Sequence, residues 1–156
     1  MTRSVRLATF TIEKTYDAPP TTVWRAWSDP AEKAVWFSGP EEWGPDEFEL
    51  DFRVGGREVS RGGPPGGPIY TYDATYRDIV PGERFVYAYD MFSEDVRISV
   101  SLGAVELARD GDGTRLTYTD HGCYLDGLDT PEEREHGTIE LLDALGRTLA
   151  RAGSTA

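Results

Sequence analysis

The sequence predicts an α+β fold: a curved antiparallel sheet of about seven strands, two short helices after the first strand and a long C-terminal helix over the sheet. Three observations predict it. Alternating apolar and polar residues, the pattern of strands, occupy most of the chain up to residue 120. Two helical segments that begin with proline interrupt this pattern early. An apolar stripe at helical spacing follows it, and residues 1–156 are predicted to form a single domain.

The first strand and the two short helices are predicted from local signals. Val5–Tyr16 alternates in polarity and is rich in β-branched residues, as strands are. Pro19–Pro20 then begins a helix, because proline is tolerated in the first helical turn. Asp29–Pro30 ends that helix and begins a second, with Asp29 as its N-cap. The second helix is expected to end near Phe37.

Six further strands are predicted in the middle of the chain, separated by glycine-rich or proline-rich turns. Their predicted ranges are Phe48–Val54, Arg57–Arg61, Ile69–Val80, Arg84–Met91, Val96–Ala108 and Thr114–Asp120. The turns fall at Gly55–Gly56, Pro81–Gly82 and Asp110–Gly113. Gly62–Pro68 contains only glycine and proline, so we interpret it as a flexible hairpin loop.

The C-terminal helix has a clear start. Thr130 is the predicted N-cap, Pro131 takes the first helical position, and Glu133 completes a capping box. The helix continues through Ala150 with one apolar stripe, which must be buried against the sheet. The stripe consists of Thr138, Leu141, Leu142, Leu145 and Leu149. A curved sheet that wraps around one helix usually leaves a cavity between them.

Composition and charge exclude several classes of partner. The formal net charge is -12, and the 16 basic residues do not cluster, so neither nucleic acid nor an anionic membrane surface is an expected partner. The single cysteine, Cys123, excludes an intramolecular disulfide and a multi-cysteine zinc site. No segment has the apolar length of a signal peptide or a membrane span, and we expect a cytoplasmic protein.

Tyrosine residues are concentrated on two predicted neighbouring strands. Tyr70, Tyr72 and Tyr76 share one parity on their strand, and Tyr87 and Tyr89 share a parity on the next. One face of the sheet is therefore predicted to carry a wall of phenol groups. Two interpretations stay open at this point. The wall lines an amphipathic pocket for an aromatic ligand, or it consists of cross-strand pairs that stabilise the sheet.

Candidates for metal binding and catalysis are few. His121 and Cys123 lie close together, but their spacing matches no zinc pattern, so neither a metal nor an organic cofactor is predicted. A histidine suits general-base catalysis at neutral pH, provided that it faces a ligand inside the cavity. His121, Asp73 and Tyr87 are the catalytic candidates, although no nucleophile motif accompanies them.

Four segments of the chain resemble one superfamily. They are Tyr16–Phe37, Phe52–Val59, Tyr76–Met91 and Gly111–Gly122. In these segments and in its order of elements, the chain is similar to the SRPBCC (START-like) superfamily. Within it, the chain looks like the polyketide-cyclase-like branch named after the activator of a heat-shock chaperone ATPase. The resemblance implies a helix-grip fold, while the function is left open because this fold serves many functions.

The resemblance also gives the tryptophans an expected place. All four lie in Thr22–Trp43, which becomes the pair of helices that closes one end of the cavity. Trp24 is expected to pack in the core, and Trp36 and Trp43 to contact a ligand at the cavity mouth. The branch often begins its last helix with a Gly-Trp pair, where this chain has Gly137–Thr138. The smaller threonine is expected to leave space near the mouth.

The residues and the resemblance together predict a small protein that binds a hydrophobic or aromatic molecule between the C-terminal helix and the sheet. Two alternatives stay open, namely a cyclase, aromatase or isomerase of polyketide-like substrates, and a modulator of a chaperone ATPase. A chaperone partner is the least favoured, because the eukaryotic activators have an additional domain, and a homodimer is left open. The predicted ligand-binding residues are Trp24, Trp27, Trp36, Trp43, Tyr72, Tyr76, Tyr87, Tyr89, Leu141 and Leu145.

Overall fold

The computed structural model describes residues 2–44 and 46–154. Its helices and strands follow the predicted order, with one additional 3₁₀ turn at Glu41–Trp43. The strands are β1 Val5–Tyr16, β2 Glu47–Leu50, β3 Arg57–Gly62, β4 Tyr70–Val80, β5 Arg84–Ser93, β6 Val96–Asp110 and β7 Gly113–Leu125. The helices are α1 Pro20–Ser28, α2 Pro30–Trp36 and α3 Pro131–Ser154.

The strands form one antiparallel sheet in the order β1-β7-β6-β5-β4-β3-β2. Each strand from β2 to β7 therefore lies beside its neighbour in sequence, and β1 pairs with β7 along its whole length. The long helix α3 packs on the inner face of the sheet and contacts β1 and α2. This arrangement confirms the predicted α+β helix-grip fold.

The helix starts follow the predicted signals, with one correction. The Asp29 carboxylate accepts hydrogen bonds from the N–H groups of Ala31 and Glu32 at 2.9 and 3.2 Å. At the start of α3, the Thr130 hydroxyl oxygen accepts from the Glu133 N–H at 3.2 Å. The predicted capping box is not formed, because the side chain that accepts from the Thr130 N–H is the neighbouring Asp129, at 2.8 Å.

The predicted strand Phe48–Val54 is wrong in its second half. β2 ends at Leu50, and the chain then turns through Gly55, whose φ of 84° suits glycine. The segment after Leu50 forms turn hydrogen bonds instead, among them one of 2.7 Å from the Gly56 N–H to the Arg53 carbonyl. Phe52 is half-buried and packs against the core, with its ring centroid 4.8 Å from that of Tyr76.

The stripe of α3 covers the inner face of the sheet. Leu142, Leu145 and Leu149 are buried in the core, and Leu142 also accepts a hydrogen bond at its carbonyl from the Tyr16 hydroxyl at 2.8 Å. This bond ties the middle of the helix to the end of β1. Three of the four leucines of the predicted stripe are therefore buried, and the fourth, Leu141, is half-buried.

Candidate ligand-binding cavity

A cavity of about 1440 Å³ lies between α2, α3, the 3₁₀ turn and the inner face of the sheet. Its volume exceeds the roughly 300–1000 Å³ of most small-molecule sites. Its aromatic lining consists of Trp27, Trp36, Phe37, Trp43, Phe48, Tyr70, Tyr72, Tyr87, Tyr89 and Tyr118. From α3 come Arg134, Gly137, Thr138 and Leu141, among others. The cavity is therefore aromatic on the sheet side and mixed on the helix side.

Trp27 and Trp36 form a buried edge-to-face pair in the cavity wall. Their side chains are 3% and 2% exposed, and their ring centroids are 4.6 Å apart. The Trp36 Nε1–H donates to the Ala26 carbonyl at 3.0 Å, which joins α2 to α1. Trp36 was expected at an open mouth, and that expectation is wrong, because this hydrogen bond and the contact with Trp27 hold it in the core.

Trp43 and Trp24 have different environments. Trp43 is half-buried, lines the cavity and stacks on Tyr70 with a centroid distance of 5.8 Å. Trp24 packs edge-on against Phe52 and Phe85, at 5.6 and 5.8 Å, and does not line the cavity. Its prediction as a wall residue is therefore wrong, whereas its expected packing against the core is observed.

The wall of phenol groups faces the cavity. Tyr72, Tyr87 and Tyr89 line it from the adjacent strands β4 and β5, so their shared parity predicted a common face correctly. Tyr76 is opposite Tyr87 in the register but does not line the cavity, and its hydroxyl donates to the Glu58 carboxylate at 2.5 Å. The prediction that Tyr76 lines the cavity is wrong.

The two predicted wall residues of α3 are also separated. Leu141 is half-buried and lines the cavity, whereas Leu145 is fully buried in the core and does not. One helical turn separates them, and the cavity continues along α3 past Leu145, where Arg147, Thr148 and Arg151 line it. Thr138 lines the cavity, and a Cβ added at Gly137 would meet no atom within 4 Å. The expected space near the Gly137–Thr138 pair is therefore present.

A buried carboxylate lies behind the phenol wall. Asp120 is 0% exposed, and its Oδ2 accepts a short hydrogen bond from the Tyr89 hydroxyl and a longer one, 3.3 Å, from the Tyr118 hydroxyl. The hydroxyls of Tyr118 and Tyr87 are 2.6 Å apart. We call these four residues the phenol chain. Burial raises the pKa of Asp120, and the hydrogen bond from Tyr89 opposes that shift.

Arg134 brings a positive charge from α3 to the phenol chain. Its guanidinium donates to the Tyr89 hydroxyl oxygen at 3.1 Å and to the Ser99 hydroxyl at 2.8 Å, and it pairs with the Asp129 carboxylate. It also lies over the rings of Tyr89 and Tyr124, about 5.5 Å from each centroid. These contacts fix the first turns of α3 against the sheet.

Gly103 on β6 determines where the Tyr87 ring can lie. A Cβ added at Gly103 would be 2.4 Å from the Tyr87 Cζ, so no side chain fits there without moving that ring. The ring therefore lies directly over the β6 backbone, and its hydroxyl reaches Tyr118 on β7. The glycine is required for the phenol chain to form.

A second buried polar group lies beside the wall. Lys33 is only 1% exposed. Its ammonium donates to the Glu58 Oε1 at 2.7 Å, and the Tyr76 hydroxyl donates to the same oxygen. The ammonium also lies 4.3 Å from the Phe37 ring centroid. Burial lowers the pKa of Lys33, and the adjacent Glu58 opposes that shift. This pair connects α2 to β3.

Two of the three catalytic candidates lie on the outer face of the sheet. His121 is exposed, and its Nδ1 shares a hydrogen bond with the Thr9 hydroxyl at 2.5 Å. Asp73 accepts a bidentate pair from Arg57 at 2.9 and 2.8 Å, and this hydrogen bonding lowers the pKa of Asp73. Neither side chain lines the cavity, so neither meets the condition set for a catalytic residue there. Of the three candidates, Tyr87 alone lines it.

The sequence contained a signal for some of the residues that were missed. Leu116, Tyr118 and Asp120 alternate with polar residues, and the parity that buries Leu116 also places Tyr118 and Asp120 on the inner face. Arg134 and Lys33 had no such signal. Each lies in a charged, helical segment that resembles a solvated surface.

Residues 17–151 match the family described as Activator of Hsp90 ATPase homolog 1-like protein. The chain belongs to this family. The phenol chain, Arg134 and the Lys33–Glu58 pair all lie within the matched residues. A comparison with curated proteins finds no match.

Solved structures of similar proteins have the same fold as this Activator of Hsp90 ATPase homolog 1-like chain. An uncharacterised protein of Rhizobium leguminosarum is 40% identical, with a TM-score of 0.92 over 97% of this chain and 99% of the other. The Mll3558 protein of Rhizobium loti is 47% identical, with a TM-score of 0.86 over 93% and 99%. An AHSA1-like protein of Aeromonas hydrophila, 22% identical with 94% of each chain covered and a TM-score of 0.74, shares the fold.

Within the described residues, 2–44 and 46–154, neither a metal site nor a membrane span is indicated. No group of three or more His, Cys, Asp or Glu side chains is placed so that it could hold a metal ion. None of the helices is long and apolar enough to cross a membrane.

Proposed function

We propose that this Activator of Hsp90 ATPase homolog 1-like protein binds a hydrophobic, aromatic small molecule in the cavity between α3 and the sheet. The observation that supports the proposal is the lining of the cavity, in which tyrosine rings and Phe48 form the sheet-side wall and tryptophan rings come from the short helices and the 3₁₀ turn. Rings that present flat apolar surfaces, with a few hydroxyl groups among them, suit a planar ligand. The family name alone supports the chaperone alternative.

The polar groups of the cavity would orient such a ligand. Tyr72, Tyr87 and Tyr89 place their phenol groups on one wall, and Arg134 places a cation beside Tyr89. A few polar groups in an aromatic cavity fix the orientation of a ligand, while the apolar area supplies most of the affinity. The isomerase or cyclase alternative required His121 inside the cavity, and its exposed position removes that support.

A cavity-filling variant tests the proposal. Thr138 lines the cavity, so Thr138→Trp should place a large ring inside it and weaken the binding of naphthalene by at least about tenfold. Binding is measured by isothermal titration calorimetry, and by quenching of the tryptophan fluorescence in the wild type. The matched control is Ala150→Trp, which adds the same ring to an exposed position of the same helix.

The expected result is naphthalene binding by the wild type and by Ala150→Trp, with loss of affinity in Thr138→Trp. If the wild type binds no naphthalene, or if both variants bind it as the wild type does, the cavity is not the binding site and the proposal fails. Circular dichroism of each variant checks that the fold is intact.

A further inference from the structure

We infer that Tyr87 acts as a hydrogen-bond acceptor in the cavity and so selects aromatic ligands that carry a phenolic or enolic hydroxyl group. The inference rests on the proposed function, because it needs a ligand in the cavity. It goes further by naming the chemical group that the ligand must present. The geometry that carries it is the direction in which hydrogen atoms run along the phenol chain.

Arg134 determines where the hydroxyl hydrogen of Tyr89 points. Arg134 has donors only, so the Tyr89 hydroxyl oxygen accepts from it at 3.1 Å, and the Tyr89 hydrogen must point elsewhere. It points to the Asp120 Oδ2. Asp120 therefore acts as an acceptor in this chain through Oδ2, whereas its buried Oδ1 has no hydrogen-bond partner among the described residues.

Asp120 also determines where the hydroxyl hydrogens of Tyr118 and Tyr87 point. A phenol has one hydrogen, and a buried carboxylate is a stronger acceptor than a phenol oxygen, so we assign the Tyr118 hydrogen to the same Asp120 oxygen, at 3.3 Å. The 2.6 Å contact between the Tyr87 and Tyr118 hydroxyls admits either donor, and with this assignment it uses the Tyr87 hydrogen. Tyr87 has no hydrogen left to donate, and its oxygen offers only lone pairs to a molecule in the cavity.

The Tyr87 oxygen suits a ligand group that donates a hydrogen bond. The Tyr87 ring is fixed over Gly103 and lies between the rings of Tyr76 and Tyr89, at 6.0 and 5.5 Å, so its oxygen cannot turn away from a ligand placed against it. A ligand hydroxyl donates to this oxygen. An ether or carbonyl oxygen of a ligand is itself an acceptor, so it cannot pair with the Tyr87 oxygen. Both oxygens would then be buried without a hydrogen bond, which weakens binding.

Three probes of similar shape test the inference: naphthalene, 2-naphthol and 2-methoxynaphthalene. In the wild type we expect 2-naphthol to bind on the order of five- to tenfold more tightly than 2-methoxynaphthalene, the effect of one hydrogen bond. Tyr118→Phe removes the acceptor of the Tyr87 hydrogen, so Tyr87 becomes a donor. The preference should then shrink to near unity or invert in favour of 2-methoxynaphthalene.

The matched control is Tyr16→Phe. This variant also loses a buried phenol hydrogen bond, the one from Tyr16 to the Leu142 carbonyl, but Tyr16 does not line the cavity. The preference for 2-naphthol should be unchanged in this variant. If Tyr118→Phe does not fold, Tyr87→Phe provides the second test, and it should abolish the discrimination because it removes the acceptor itself.

The outcomes separate this inference from the proposed function. If naphthalene does not bind the wild type, both fail. If naphthalene binds but 2-naphthol and 2-methoxynaphthalene have equal affinity, the inference is overturned and the proposed function stands. Retention of the wild-type preference in a folded Tyr118→Phe or Tyr87→Phe variant also overturns the inference.

Discussion

At the scale of single residues, the four tryptophans differ in what they do, although they lie together in the chain. Trp27 and Trp36 are buried against each other, and Trp36 also donates to the Ala26 carbonyl. Trp43 is half-buried on the 3₁₀ turn. Tryptophan content alone therefore does not indicate which residue stabilises the fold and which faces a ligand.

Trp27→Ala should lower the free energy of unfolding by about 3–5 kcal/mol, since it removes a buried ring and leaves a cavity in the core. Trp43→Ala is the control, and it should cost only about 1–2 kcal/mol because the residue is half-buried. Urea unfolding followed by circular dichroism measures both. Equal losses in the two variants would contradict the assignment of Trp27 to the core and Trp43 to the rim.

Prediction from the sequence was weakest at this scale. His121 and Asp120 are neighbours in the chain, yet one is exposed and the other is fully buried. A strand reverses face at every residue, so an error of one position exchanges a surface group for a buried one. The alternation of Leu116 and Tyr118 with polar residues indicates which parity of β7 faces inward, but a carboxylate at such a position is seldom buried without a partner, and the partner Tyr89 lies on another strand.

At the scale of elements, buried polar contacts connect helices to the sheet. Arg134 joins α3 to β5 and β6, and Lys33 joins α2 to β3. The contact between Lys33 and Glu58 bridges 25 positions in the chain. Such pairs could not be predicted, because burial of a charge in a polar-looking helix depends on a partner that is distant in sequence.

The Lys33–Glu58 pair predicts a non-additive result. Lys33→Met should destabilise the protein by roughly 3–5 kcal/mol, because it leaves the Glu58 carboxylate buried without its cation. Adding Glu58→Gln should recover much of that loss, since the neutral amide oxygen can still accept from Tyr76. A double-mutant cycle by urea unfolding measures the coupling. Additive losses would show that the pair does not couple α2 to β3.

Local signals predicted the starts of elements well. The caps at Asp29 and Thr130 involve residues two or three positions apart, so the sequence contains all the information that they need. The ends of strands were less accurate. β7 continues to Leu125, five residues beyond the prediction, because it pairs with β1 and β6 on its two sides. Pairing with distant strands is absent from a local pattern.

At the scale of the whole molecule, the fold buries nearly all of its phenol groups. Burial is the main cause that raises the pKa of seven of the eight tyrosines, to about 12 in the case of Tyr124. The others in this set are Tyr16, Tyr72, Tyr76, Tyr87, Tyr89 and Tyr118. The alkaline behaviour of the protein should therefore depend on its folding.

Absorbance at about 295 nm, which follows tyrosine ionisation near its ordinary pKa of about 10, should change little in the native protein at pH 10–11. The control is the protein unfolded in concentrated guanidinium chloride, in which all of the tyrosines should ionise at pH 10–11. In this window the folded state binds more protons than the unfolded state, so the free energy of unfolding should fall as pH rises above about 10. Full ionisation in the native protein would contradict the buried phenol wall.

The order of elements and the common face of the tyrosines could be predicted because they depend on alternation and spacing. Tyr72, Tyr87 and Tyr89 form the wall that parity predicted. The division between Leu141 in the cavity and Leu145 in the core could not be predicted, since both belong to the same apolar stripe. It follows from the orientation of α3, which turns Leu141, Ala144 and Thr148 toward the cavity and Leu145 and Leu149 toward the core.

The glycine beneath the phenol wall has a consequence for how this cavity can evolve. Any side chain at Gly103 would displace the Tyr87 ring, so mutation there should destroy recognition instead of altering it. Replacement of Tyr118 by phenylalanine keeps the ring in the cavity wall and removes only the hydroxyl that contacts Tyr87. A lineage that changes its ligand should therefore retain the glycine and vary the residue that faces Tyr87.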